Sequence, residues 1–237
     1  MKRIAVVVFP GTNSEEETMR LLLAYGGDAT CVHWSRARDL SGFDAFVLPG
    51  GFAYEDRIRA GVIAAHDEMM EPIASAARDG KLVLGVCNGA QILLEAGIVP
   101  GDAGSLPSAA FTHNAPAGRF VCTRVHIKLG IEPNRSPITA ALPPGALLPA
   151  WAAHAQGRLA ARPQTLFEIE SRDELAFVYA DAHGVVSDAA TPNGSALHCA
   201  GLVNREGNVL ALMPHPERVY PQRSALFSSF VKAVEAS

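Results

Sequence analysis

Within the first hundred residues, short uninterrupted apolar runs alternate with stretches of helical spacing. That alternation constrains the fold more than any other feature. Ile4–Phe9, Ala29–Trp34, Ala45–Leu48 and Lys81–Val86 read as strands. Ser14–Tyr25 carries Met19, Leu22 and Leu23 at helical spacing and three glutamates in its first turn, where the helix dipole favours anions. A helix is expected over much of Ile58–Arg78, and a short one over Asn88–Glu95. Apolar strands without polar alternation are buried on both faces. The pattern therefore predicts an α/β fold with a mostly parallel central sheet covered by helices on both faces.

The second half adds β-rich segments. Arg119–Ile127 and Ala176–Ala180 read as strands, and Cys199–Asn204 and Asn208–Met213 flank the turn Arg205-Glu206-Gly207, the signature of a hairpin. Ser224–Val234 closes the chain as a helix. The stretches 99–118 and 142–163, rich in Pro, Gly and Ala, read as long excursions and not as linkers. With 237 residues there is ample length for a sizeable core, and one domain over residues 1–237 is the expectation.

Composition excludes several classes of function. A net charge of −4 and 49% hydrophobic residues argue against disorder. Twenty basic against 24 acidic residues, and 7% aromatics, offer neither the charge nor the stacking surface that a nucleic-acid partner needs. No apolar run reaches the ~18 residues of a membrane span, so no membrane partner is expected. The four cysteines, at 31, 87, 122 and 199, form no CxxC pair. A disulfide framework is not expected in a chain this rich in core residues, which points to a reducing cytoplasm. Cys31 and His33, alternate residues on an apolar strand, read as core and not as metal ligands. Cys122, Cys199 and the Met69-Met70 pair also read as buried packing.

Chemistry concentrates at three strand ends. Gly85-Val86-Cys87-Asn88-Gly89 follows one strand and opens a helix, the arrangement of a nucleophile elbow with cysteine as the nucleophile. Flanking glycines suit a strained turn where a Cβ would strike neighbouring backbone. The helix amino terminus favours thiolate over thiol. Met213-Pro214-His215-Pro216-Glu217-Arg218 follows a second strand. In an extended stretch His215 and Glu217 point to one side, so Glu217 can orient an imidazole that serves as base and then acid. Leu48-Pro49-Gly50-Gly51-Phe52 ends a third strand, and its glycines let backbone N–H groups face an oxyanion. Gly51 and Asn88 are the expected donors.

In this order, P-G-G, then G-x-C-x-G-x-Q ending at Gln91, then P-H-P-E resembles the class I, triad-type glutamine amidotransferases. Phe9-Pro10-Gly11-Thr12-Asn13 and Pro192-Asn193-Gly194-Ser195 narrow the resemblance to the glutaminase subunits of phosphoribosylformylglycinamidine synthase. The resemblance implies Cys87, His215 and Glu217 as catalytic triad, and glutamine as substrate. Gln91, one helical turn beyond Cys87, would help frame the glutamine pocket. It also implies two partners, a large synthetase subunit and a small accessory subunit. Cofactors are expected only on the synthetase, as ATP and magnesium, because this chain has no GxxxxGK[ST] motif.

Two departures stand out. Glu55 occupies a position where the family pattern has glycine, and Ala155-Gln156 stands where that pattern reads Gly-Glu. Two alternatives fit the same residues: a class I glutaminase serving another acceptor, and a related cysteine hydrolase. Three histidines, His154, His183 and His198, lie near loops or strand ends without an assignable role.

Overall fold

The computed structural model describes residues 2–35, 40–101, 106–116, 118–219 and 223–237. In chain order the elements are β1 (Arg3–Val8), α1 (Glu15–Ala24), β2 (Asp28–His33), β3 (Ala45–Leu48), α2 (Val62–Ala65), α3 (Met70–Arg78), β4 (Leu82–Val86) and α4 (Asn88–Glu95). There follow β5 (Ala109–Thr112), β6 (Val121–Leu129), β7 (Leu147–His154), β8 (Arg158–Ala161), α5 (Pro163–Ser171), β9 (Phe177–Ala180), β10 (Cys199–Val203), β11 (Val209–Leu212) and α6 (Ala225–Ala236).

One nine-stranded sheet runs β2-β1-β3-β4-β11-β10-β9-β6-β7, and β5 and β8 form a separate antiparallel pair. From β2 to β11 every pairing is parallel; from β11 to β7 every pairing is antiparallel. The parallel block is the predicted α/β sheet. In it β3 and β4 are buried at every residue, as a strand covered on both faces must be. Helix α1 packs on β1 and β2 and meets α6, while α4 packs on β3, β4 and β11. The antiparallel block is the β-rich addition of the second half, and β10–β11 is the predicted hairpin, with Leu202 opposite Ala211.

The structure corrects four sequence expectations. The helix expected across Ile58–Arg78 is broken into α2 and α3. The break forms at Asp67, whose carboxylate accepts from the Met69 N–H at 2.9 Å and the Tyr54 hydroxyl at 2.6 Å. Cys31 and His33 are exposed, not core, because β2 is the sheet's edge strand, in which Val32 alone is fully buried. Cys122 is exposed too: it lies on the part of β6 that pairs with β7 alone, beyond the reach of β9. Cys199, Met69 and Met70 are buried as expected. The excursions at 99–118 and 142–163, of which 102–105 and 117 lie outside the described residues, hold β5 and the whole of β7 and β8. Pro149 inside β7 is tolerated because that strand is an edge.

Candidate active site

Cys87 links the end of β4 to the start of α4 with φ 51° and ψ −106°, an uncommon conformation for a residue with a Cβ. Three contacts force it. The Cys87 N–H donates to the Leu212 carbonyl of β11 at 2.8 Å. A Cβ on Gly89 would stand 1.9 Å from the Leu48 carbonyl oxygen, and one on Gly85 would stand 2.7 Å from the Gly89 oxygen. Helix and strands therefore meet backbone to backbone, and the cysteine takes up the turn. Its Sγ lies 3.8 Å from the Ala153 carbonyl oxygen.

His215 arrives from the neighbouring strand. After β11, the Met213 N–H donates to the Ala200 carbonyl at 2.8 Å. The His215 backbone then pairs with Trp151 of β7 through bonds of 2.8 and 3.0 Å. The far edge of the sheet thus returns to the loop that carries His215. Glu217 reaches the imidazole, Oε1 to Nδ1 at 2.5 Å, but not along an extended stretch. Pro216 opens a short 3₁₀ turn over Pro216–Arg218, and that turn brings the carboxylate round. His215 and Glu217 are 1% and 4% exposed. Burial works to lower the His215 pKa; the Glu217 carboxylate and a hydrogen-bonded Cys87 outweigh it and raise it to about 10. The raised pKa favours the imidazolium, which the Glu217 carboxylate stabilises.

The glycine pair after β3 sits against both. A Cβ on Gly50 would stand 2.4 Å from His215 Cε1 and 3.3 Å from Cys87 Cβ; one on Gly51 would stand 2.5 Å from the Gly11 oxygen. The Gly50 carbonyl accepts from the Asn13 and Ser14 N–H groups, and the Phe52 N–H donates to Gly11. The Phe9–Asn13 segment therefore braces this turn, and Arg218 adds a bond to Ser14 Oγ at 2.7 Å. Asn88 stands at the first turn of α4, where backbone N–H groups have no intrahelical acceptor. Its side chain accepts from the Ala53 N–H at 2.9 Å, which ties the Gly51 loop to the helix. Gln91 is buried with its amide engaged at both ends, accepting from Asn88 at 2.9 Å and donating to the Gln156 carbonyl at 2.5 Å. It joins α4 to the turn after β7.

That turn holds what the sequence did not single out. Of the three unassigned histidines, His154 lies beside the triad; it is buried, and neither ring nitrogen has a partner among the described residues. Burial and the charge of His215 push its pKa down to about 4, so the ring is neutral. Asn114 and Asn193 pin the turn. Asn114 donates to the His154 carbonyl and accepts from the Gly157 N–H, and Asn193 donates to the Gly157 carbonyl at 2.7 Å. Ser195 Oγ accepts from the Leu159 N–H. The Pro192–Ser195 segment was visible as a pattern, but its role needs partners 36 residues away. Asn114, in Thr112-His113-Asn114-Ala115, carried no signal.

The model of the CobB/CobQ-like glutamine amidotransferase domain matches residues 1–227. Phosphoribosylformylglycinamidine synthase subunit PurQ of Symbiobacterium thermophilum is 43% identical over 220 residues, covering 93% of this chain and 89% of that one. The chain belongs to this glutamine amidotransferase family, in its phosphoribosylformylglycinamidine synthase branch. The subunit of the same name from Pyrococcus furiosus is 40% identical over 218 residues, with 92% and 89% covered. The structure of PurLQS from Thermotoga maritima is 30% identical and superposes with a TM-score of 0.79 over 99% of this chain and 98% of that one. The family's fold is the one described above, and this family member is an enzyme subunit, the glutaminase of phosphoribosylformylglycinamidine synthase in purine biosynthesis. Among the described residues no helix is long and apolar enough to cross a membrane.

Proposed function

We propose that residues 1–237 work as one glutamine amidotransferase domain that hydrolyses glutamine through a thioester on Cys87. The sulfur attacks the side-chain amide carbon of glutamine. The oxyanion is held by the N–H groups of Gly51 and Asn88; in comparable sites one lost donor costs about 2.7–4 kcal/mol. His215 gives its proton to the departing nitrogen and ammonia leaves. The same ring then takes a proton from water, whose oxygen attacks the thioester and releases glutamate. Glu217 keeps the ring oriented and stabilises its charge. His154, neutral and with both nitrogens unpaired, offers glutamine a donor and an acceptor beside the triad.

Ammonia passes to a large synthetase subunit, which converts formylglycinamide ribonucleotide to the amidine at the expense of ATP and magnesium. A small accessory subunit completes the complex, in the cytoplasm, and this chain needs no cofactor of its own. The observation that carries the reading is the buried, hydrogen-bonded His215–Glu217 pair set against the same glycine turn as Cys87, which stands at a strand–helix elbow.

Glutamate release from glutamine tests it, measured with the chain alone and then with the synthetase subunits, formylglycinamide ribonucleotide and ATP. The expected result is release that rises sharply in the full mixture, matched by amidine product. Release that the synthetase leaves unchanged would remove the acceptor assignment, and no release in either mixture would remove the glutaminase.

A further inference from the structure

Asp56 lies outside the triad, in the turn Ala53–Asp56 that follows the glycine pair. Tyr54, Glu55 and Asp56 take φ values of 54°, 61° and 52°. Left-handed backbone is strained for a non-glycine residue, so three in succession persist only where other bonds impose them. Those bonds are present. The Tyr54 N–H donates to the Pro10 carbonyl at 2.7 Å, the Glu55 N–H to the Phe52 carbonyl at 2.8 Å, and the Ala53 N–H to Asn88 Oδ1 at 2.9 Å.

The buried Asn88 amide is the hub of this arrangement. Besides accepting from Ala53, its Nδ2 donates to Gln91 Oε1 at 2.9 Å and to Asp56 Oδ1 at 3.3 Å. An amide group fits such a site in two orientations, with oxygen and nitrogen exchanged. An ionised carboxylate only accepts, so Asp56 joins the Ala53 N–H and Gln91 Oε1 in holding the orientation that turns Oδ1 toward Ala53. The loop thus anchored begins at Gly51, and the residue that anchors it is Asn88. Both oxyanion donors of the glutaminase reading are joined through this one side chain.

We propose that Asp56 is a positioning residue for the oxyanion site, fixing the Asn88 amide and with it the spacing between the Gly51 loop and the amino terminus of α4. The inference rests on the glutaminase reading. Burial raises the Asp56 pKa to about 6, the bond from Asn88 opposing it. Charges on the adjoining segments are committed elsewhere: Arg57 to Glu55, Arg59 to Glu95, and Asp67 to the Tyr54 hydroxyl. His154 and His215, at about 4 and about 10, titrate outside that window. The orienting charge on Asp56 is therefore lost as pH falls through 6.

The test measures kcat and KM for glutamine between pH 5 and 8 in the assembled synthase, with wild type, Asp56→Ala and Asp56→Asn. Wild type should lose kcat on an acid limb centred near pH 6. At pH 8, Asp56→Ala should lower kcat about tenfold, part of the loss known for a missing oxyanion donor, with KM nearly unchanged. Asp56→Asn, which keeps a neutral acceptor, should recover part of that loss, and neither variant should keep the acid limb. Alkylation of Cys87 by iodoacetamide forms no oxyanion and should proceed at the wild-type rate in both. An acid limb that survives in Asp56→Asn, an unchanged kcat in Asp56→Ala, or slowed alkylation would overturn the proposal. Wild-type synthase that releases no glutamate would overturn the underlying reading as well. Should Asp56→Ala fail to fold, the pH profile of Asp56→Asn decides alone.

Discussion

The two halves of the sheet meet at β11 and contribute different things to one site. The parallel half, β2 to β11, supplies Cys87, Gly51 and Asn88, the proposed nucleophile and oxyanion donors, from the ends of β3 and β4. It does so by steric necessity: Gly85, Gly50 and Gly89 allow approaches that no Cβ could survive. The antiparallel half supplies a wall built from hydrogen bonds, in which Asn114, Asn193 and Ser195 hold the turn after β7 and present His154 and Gln156. His215 belongs to both, since it leaves β11 and pairs its backbone with Trp151. Chemistry placed by packing tolerates little change. Recognition placed by polar side chains should yield in smaller steps.

That contrast can be broken. The largest effect on stability is expected in the parallel half: Gly89→Ala pushes a Cβ into the Leu48 carbonyl and should destabilise the fold by about 3 kcal/mol, since overpacking typically costs 1–3 kcal/mol. Urea unfolding measures this, and a loss below 1 kcal/mol would show that α4 can simply slide. Glu217→Gln follows, keeping shape while removing the charge that orients His215. It should lower kcat by roughly 10² to 10⁴, with little change in fold. The same variant tests pH linkage. Folded His215 holds its proton to about pH 10, whereas an unfolded histidine releases it near 6.5. The stability this group contributes is therefore full below pH 6.5 and is lost as pH rises through 10. Glu217→Gln should flatten that slope, as thermal unfolding from pH 6 to 10 would reveal.

In the antiparallel half, Asn193→Ala strips a donor from the Gly157 carbonyl and an acceptor from the Ser195 N–H. A cost of about 1–3 kcal/mol is expected. KM for glutamine should rise more than kcat falls, because the wall loosens while the triad stays. A larger drop in kcat than rise in KM would erase the distinction between the halves. Smallest is Glu55→Gly. Glu55 holds φ 61° on an exposed turn, and its ion pair with Arg57 is a surface pair of little worth. Relief of left-handed strain should exceed the entropy glycine adds to the unfolded chain, raising stability by less than about 1 kcal/mol. A fall in melting temperature would contradict this.

The same contrast explains what was legible in the sequence. In the parallel half the inner strands β1, β3, β4 and β11 carry continuous apolar runs, and each candidate site residue stands within a few positions of a strand end, so local pattern goes far. Cys87, Gly51 and Asn88 stand out only when G-x-C-x-G, P-G-G and P-H-P-E are taken together, and the structure brings those three segments side by side. The antiparallel half is written otherwise. Strand β7 contains a proline, β5 and β8 have four residues each, and Asn114 and Asn193 act on a turn about 40 residues away. Long-range hydrogen bonds leave no periodicity, which is why His154 could not be told from His183 or His198. The short strand β2 misled for a related reason. Its apolar character reads as buried, but only its place at the sheet edge decides that Cys31 and His33 face outward.

The central claim is that Cys87 alone makes the covalent bond through which glutamine nitrogen reaches the acceptor. The most direct test assembles Cys87→Ala with the synthetase subunits and measures amidine formation from formylglycinamide ribonucleotide and ATP, once with glutamine and once with ammonium. The account predicts that synthesis from glutamine is abolished while synthesis from ammonium continues at the wild-type rate. Glutamine-dependent product from the variant would contradict it.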